Sequence, residues 1–194
     1  AYRAEFLKLP SESDIARELA RNVDTDAVHK ARETLRATIG NEARESLAEL
    51  YERAAPSGPY SPDPESAGRR AVRSAALDLL VATGEASEIG RAERHYREAS
   101  NMTDAIAALS ILSHLQSPAR DDLLAHFYAR WQDEPLVLDK WFAVQARAAR
   151  PDSVETVRAL LSHPKFSLKN PNRIRALLGS FAHANSTGFN RADG

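Results

Sequence analysis

The sequence predicts an all-α protein: an irregular superhelical array of antiparallel helix pairs, an α-solenoid. Three observations carry this expectation. Apolar residues recur at i, i+3, i+4 and i+7 through nearly every segment between loops. The periodic segments are similar in length and separated by short breaks of Gly, Pro, Asn or Ser, the pattern of solenoids and bundles. No stretch sustains β alternation. No strict repeat recurs, which makes the array irregular.

The opening "AYRAEFLKLP" looks like a chain entering from elsewhere; there is no initiator Met, and Ala1 is read as a cloning remnant. "SESDIARELARN" begins with Ser11 and Asp14, a variant of the capping box, with Ile15 and Leu19 one turn apart. "TDAVHKARETLRATIG" puts Val28, Ala31, Leu35 and Ile39 on one face, and Gly40-Asn41 is expected to break that helix. "EARESLAELYERAA" resumes with Leu47, Leu50 and Tyr51. "PSGPYSPDPES" then holds four prolines in nine residues, a long connection inside one array. Further helices are expected near 65–83, 86–98, 102–115, 118–132, 136–149, 153–162 and 171–183. Their breaks are Gly84, Ser100-Asn101, Ser117-Pro118, Glu134-Pro135, Pro151-Asp152 and "SHPKFSLKNP". The end, "NSTGFNRADG", reads as a polar loop without a closing helix, so the chain is taken for a piece of a longer polypeptide.

Composition excludes several classes of function. With a net charge of −1 there is no electrostatic case for nucleic acid or an anionic membrane. No apolar run approaches the roughly 18 residues that span a bilayer, and no secretory signal opens the chain. Zero cysteines exclude disulfides and thiolate metal sites and fit a reducing, cytoplasmic setting. His29, His95, His114, His126, His163 and His183 form no i, i+4 pair, no phosphate loop is present, and no nucleophile elbow appears. No catalytic or metal residue is expected in this chain.

Phe127, Tyr128 and Trp131 on one helix, with Trp141 and Phe142 on the next, are expected to form a core between antiparallel helices. The alternative is an exposed aromatic platform for a partner. Asp139-Lys140 reads as a solvated or locally paired couple, Thr103-Asp104 as capping, and the "ARELARN" and "GRR" runs as solvated faces.

One segment resists a purely structural reading. In "NPNRIRALLGSFA", Asn170 and Pro171 start a helix, and Ile174, Leu177, Leu178 and Phe181 form one stripe. Arg173 and Arg175 stand in its first turns, where a cation is unfavourable by about 0.3–1 kcal/mol. At about 100° per residue they flank the stripe on opposite sides, each at a rim. Either arginine pairs with a carboxylate of an adjacent helix, or one helps form an anion site with the helix N–H groups.

The wording of "NMTDAIAALS", "LDKWFAVQA" and "ETVRALLSHPKFSLKNPNRIRALLGSFA", and more loosely "LPSESDIA" and "ARETLRATIG", resembles the C-terminal helical domain of the bacterial aminopeptidase N family, gluzincin zinc aminopeptidases. The resemblance covers essentially all 194 residues and is weakest at the proline-rich 56–64 loop. It implies a HEAT- or armadillo-like solenoid, residues 1–194 forming one C-terminal domain that ends before the family's last helices. In that family an H-E-x-x-H motif with a distal Glu holds zinc, and a G-x-M-E-N motif grips the substrate's amino terminus. Both belong to a separate catalytic domain, and neither occurs here. The implied partners are that catalytic domain in the same polypeptide, which this domain caps, and peptide substrates inside the enclosed chamber. The family's arginine that points into the chamber from N-P-N-R-I-R matches Arg175, a substrate-binding residue on this reading, whereas Arg173 becomes a tie to a neighbouring helix. A chain cut before its last helices is expected to leave the Ile174, Leu177, Leu178 and Phe181 stripe partly uncovered, or covered by self-association. A stand-alone helical-repeat interaction module remains the other reading; H-E-x-x-H and G-x-M-E-N upstream would decide between the two.

Overall fold

Each expected break from Gly84 to "SHPKFSLKNP" falls between helices or ends on the proline that opens the next one, and most have a visible local cause. A computed structural model describes residues 2–191 of the chain, so the readings of Ala1 and of the final Ala-Asp-Gly lie outside the described residues. The helices are α1 (Tyr2–Glu5), α2 (Glu12–Leu19), α3 (Thr25–Glu42), α4 (Arg44–Arg53), α5 (Pro64–Val81), α6 (Ala86–Glu98), α7 (Met102–Ser113), α8 (Pro118–Trp131), α9 (Pro135–Arg147), α10 (Ser153–Leu161), α11 (Pro171–Ile174), a π-helical segment (Arg175–Gly179), α12 (Ser180–Ala184) and α13 (Ser186–Phe189). No strand occurs among the described residues. The Asp63 side chain accepts from Ser66 N at 2.9 Å and Ser117 Oγ from Arg120 N at 3.2 Å, each satisfying a free donor ahead of a proline-led helix. Gly84 takes φ +76°, the left-handed conformation that ends α5 without a Cβ clash.

The helices pack as two units: residues 2–11 with 29–112, and residues 12–28 with 113–191. In the first unit α5 is central, packed against α1, α4 and α6. Its Val72, Ala76, Leu77, Leu79, Leu80 and Val81 are buried, with Leu47 and Tyr51 of α4 and Ala92 and Tyr96 of α6. Ala4, Ala54 and Val72 form a small cluster that ties α1 down.

Gly40-Asn41 does not break α3; the helix runs on to Glu42. A Cβ on Gly40 would lie 2.2 Å from Leu79 O and 2.9 Å from Thr83 Cγ2. The glycine is therefore there to let α3 approach the α5 backbone, a requirement set by a partner helix and invisible in the local pattern. Gly40→Ala is expected to lose about 1–3 kcal/mol from overpacking, even though alanine is the better helix former by about 1 kcal/mol. Gly90→Ala is the control. Its Cβ would meet only Arg94 Nη1 at 3.8 Å, so it should be neutral or stabilising by about 0.5–1 kcal/mol in thermal unfolding. The expected apolar face of α3 also needs correction. Ala31 and Leu35 are exposed, Val28 and Ile39 are half-buried, and the buried residue on α3 is Gly40.

The second unit is built around α9, against which α8, α10, α12 and the π segment pack. Phe127 and Phe142 are fully buried and Trp141 nearly so, which places these three in a core, whereas Tyr128 is half-buried and Trp131, also half-buried, has the Arg130 guanidinium 5.0 Å over its ring. Tyr128 and Trp141 lie 5.0 Å apart, Trp141 and Phe142 meet edge to face at 5.2 Å, and Trp141 Nε1 donates to Leu124 O at 3.0 Å. His163 joins this cluster from the loop after α10, within 5.3–5.6 Å of Tyr128, Trp141 and Phe142.

The tail is not simply a loop. Asn185 caps α13 by accepting from Gly188 N at 3.0 Å, while its Nδ2 donates to Ala146 O and Ala148 O. Phe189 lies edge to face with Phe181 at 5.9 Å, and Ser13 Oγ on α2 donates to His183 O at 3.3 Å. The stripe is covered unevenly: Leu177 is fully buried, whereas Ile174, Leu178 and Phe181 are half-buried.

Candidate functional site

The segment from Asn170 to Gly179 is positioned by its own cap and by α9. Asn170 Oδ1 accepts from Asn172 N at 3.0 Å and Arg173 N at 3.2 Å, and Pro171 opens the helix. From Arg175 the backbone widens into a π-helix, a form that in proteins is mostly a short insertion and is frequent at functional sites. The uniform 171–183 helix expected from the sequence is thus three pieces, and one 100° periodicity does not describe its stripe.

The two arginines part company. Arg173 is not at a rim; it is buried, with only 4% of its surface exposed. Its Nε donates to Asp139 Oδ1 of α9 at 2.5 Å, Nη1 donates to Lys165 O, and the guanidinium lies 4.8 Å over the Phe142 ring. An acceptor, a carbonyl and a π-face leave this cation fully partnered inside a core. Asp139 is accordingly not a solvated or local charge; its partner is 34 residues away. The signal that could have found it is its position three residues before Phe142, on the apolar side of α9.

The Arg175 side chain is exposed and makes no ion pair or hydrogen bond among the described residues. It stands two residues beyond the Asp139 clamp, at the first position of the π segment. Its guanidinium is thus an unpaired cation on a turn held by the Asn170 cap and by Arg173. No group of three or more His, Cys, Asp or Glu able to hold a metal occurs among the described residues.

A family model described as "Domain of unknown function (DUF3458_C) ARM repeats" matches residues 1–194. The chain belongs to that family. It is 41% identical over 194 residues to the "Aminopeptidase N" of Caulobacter vibrioides and 40% identical over 195 residues to that of Escherichia coli. Each alignment covers 100% of this chain and 22% of the relative, so the chain spans about a fifth of the length of these curated relatives. Among solved structures, a Legionella pneumophila aminopeptidase A in complex with aspartic acid matches with TM-score 0.86 and 30% identity, over 96% of this chain and 23% of that one. The chain is thus an aminopeptidase N-type C-terminal domain, and its all-α, repeat-like architecture is that of the family.

A buried polar group escaped the sequence reading altogether. His95 Nδ1 shares a hydrogen bond with Tyr51 Oη at 2.9 Å, and Nε2 faces Asp104 Oδ1 at 3.9 Å. Asp104 is held in turn by Asn101, whose Nδ2 donates to Oδ2 at 2.8 Å and whose Oδ1 accepts from Asp104 N at 3.0 Å. Asn101, rather than Thr103, thus supplies the cap of α7. Burial, followed by the nearby Arg73, pushes the His95 pKa below 6.5, against the opposing charges of Asp104 and Glu98. A base depressed in the folded state binds its proton more readily once unfolded. Stability from His95 is therefore complete above about pH 6.5 and is lost as pH falls below that value toward the folded pKa. His163, lowered by burial and then by Arg173 and Lys165, acts in the same direction. Melting temperature is expected to fall on acidification below pH 6.5, as the unfolding free energy drops by at most about 1.4 kcal/mol per pH unit for each histidine. His95→Gln should remove one histidine's share of that slope; an unchanged pH profile would contradict the assignment.

Proposed function

We propose that residues 1–194 act as the single, non-catalytic C-terminal domain of a cytoplasmic, zinc-dependent aminopeptidase N that removes N-terminal residues from peptides. On this reading the domain caps the catalytic domain of the same polypeptide and shapes the chamber in which peptides are held, with Arg175 directed at the substrate. The observation that carries the reading is the roughly 40% identity to aminopeptidase N over the whole chain, joined to the contrast between a clamped Arg173 and an unpaired Arg175. No group of three or more His, Cys, Asp or Glu that could hold a metal occurs among the described residues; on this reading the catalytic domain carries the zinc. No described helix is long and apolar enough to cross a membrane.

Arg175 has a definite chemical task on this reading. An extended peptide offers backbone carbonyls and a terminal carboxylate beyond the scissile bond, and a guanidinium can donate to both. A free cation on an anchored turn gives such contacts without reorganising the fold. The isolated chain is expected to hydrolyse no alanyl anilide and to retain no stoichiometric zinc after dialysis. Turnover by metal-loaded chain free of contaminating peptidase would overturn the non-catalytic assignment.

A further inference from the structure

The proline-rich loop of residues 56–64 has no task in substrate capture by Arg175, yet it walls one side of a cavity of about 130 Å³. The rest of the lining includes Arg69 and Arg70 on α5 and Asn101 and Asp104 at the start of α7. The arginines hold the loop in place: Arg69 Nη2 donates to Arg53 O at 3.2 Å and Ala55 O at 2.7 Å, and Arg70 Nη1 donates to Ser61 O at 2.9 Å. The Arg70 guanidinium also lies 4.7 Å over the Tyr60 ring. The "GRR" run is therefore not a solvated face.

These contacts fix the guanidiniums but do not neutralise them. Arg36, Arg91, Arg150 and Arg173 each meet a carboxylate. Among the described residues Arg69 and Arg70 meet none, and the Nε of each is sealed from solvent without an acceptor. Asp104, the one acidic residue of the lining, keeps its charge but is turned to Asn101 and His95 and pairs with neither arginine, so two cations stand against one carboxylate there. Two adjacent cations at the wall of a cavity, held by carbonyls and meeting no carboxylate, are an arrangement suited to an anion.

We propose that this cavity is a binding site for a small oxyanion, a carboxylate or a phosphate group, gripped by Arg69 and Arg70. The volume is roughly ten times the 10–15 Å³ that admits one water, enough for a free amino acid or an inorganic phosphate. The proposal stands independently of the role given to Arg175.

The test is titration calorimetry of the full 194-residue chain at constant ionic strength, with inorganic phosphate in one arm and L-alanine and acetate in others. Saturable binding is expected with a Kd of about 1 mM or tighter; the stronger arm identifies whether phosphate or a carboxylate is the natural group. Arg70→Lys keeps the charge but loses the fork, and should weaken binding about tenfold. The double variant Arg69→Gln/Arg70→Gln should abolish it, and Arg94→Gln on the exposed side of α6 should leave it unchanged. Circular dichroism checks that each variant is folded, and Arg70→Lys decides the matter if the double variant is not. No saturable heat in any arm to about 50 mM would overturn the proposal, as would equal affinity in Arg70→Lys and the unmodified chain.

Discussion

Replacing Arg173 by alanine is expected to cost about 3–5 kcal/mol, because it strands the buried Asp139 carboxylate without its partner. The side chains of Arg173 and Asp139 are 4% and 15% exposed, so water cannot take over the missing contact. Lys165 O loses a donor and Phe142 loses the cation over its ring at the same time. At about 2–4 °C per kcal/mol for a chain of this size, the melting temperature should fall by roughly 10 °C. Asp139→Ala should do comparable damage by leaving the guanidinium unpaired. The double variant Arg173→Ala/Asp139→Ala should lose clearly less than the sum of the two, since neither partner is then stranded. Strict additivity in thermal or urea unfolding would mean that the pair contributes nothing as a pair.

The same clamp shows why the sequence was informative up to a point. Helix ends at Gly84, Ser117-Pro118 and Asn170-Pro171 were legible because their causes are local: a left-handed glycine, a hydroxyl cap, an amide cap before proline. The aromatic core of α8 and α9 was legible because large apolar side chains have few other places to go. Gly40 misled because its reason for being glycine lies in the Leu79 carbonyl on another helix. Arg173 was legible as a tie but not in its burial, since its acceptor lies 34 residues away and the place of Asp139 on the apolar side of α9 marks a buried carboxylate without naming its partner. The π segment was invisible for a related cause: a widened turn depends on what packs against it, here chiefly α9, and 3.6-residue counting cannot register it. The Tyr51, His95 and Asp104 group joins three helices that no spacing rule connects.

Arg175 carries the central claim, and its expected effect is the largest on activity. In the full polypeptide, Arg175→Ala should reduce kcat/KM for di- and tripeptides about tenfold to a hundredfold, the equivalent of one charge-assisted hydrogen bond of about 1.5–3 kcal/mol made in the transition state. An amino-acid anilide has no residue beyond the scissile bond, offers neither the distal carbonyl nor the carboxylate, and should be processed nearly as before. The fold should be indifferent, because Arg175 is exposed and holds no partner among the described residues; an unchanged melting temperature separates it from Arg173→Ala.

The most direct measurement is therefore kcat/KM of the Arg175→Ala polypeptide on a tripeptide and on an alanyl anilide, side by side with the unmodified enzyme. A loss of tenfold or more on the tripeptide with the anilide spared is the result the substrate-facing assignment predicts. Equal losses on both substrates, or no loss on either, would contradict it.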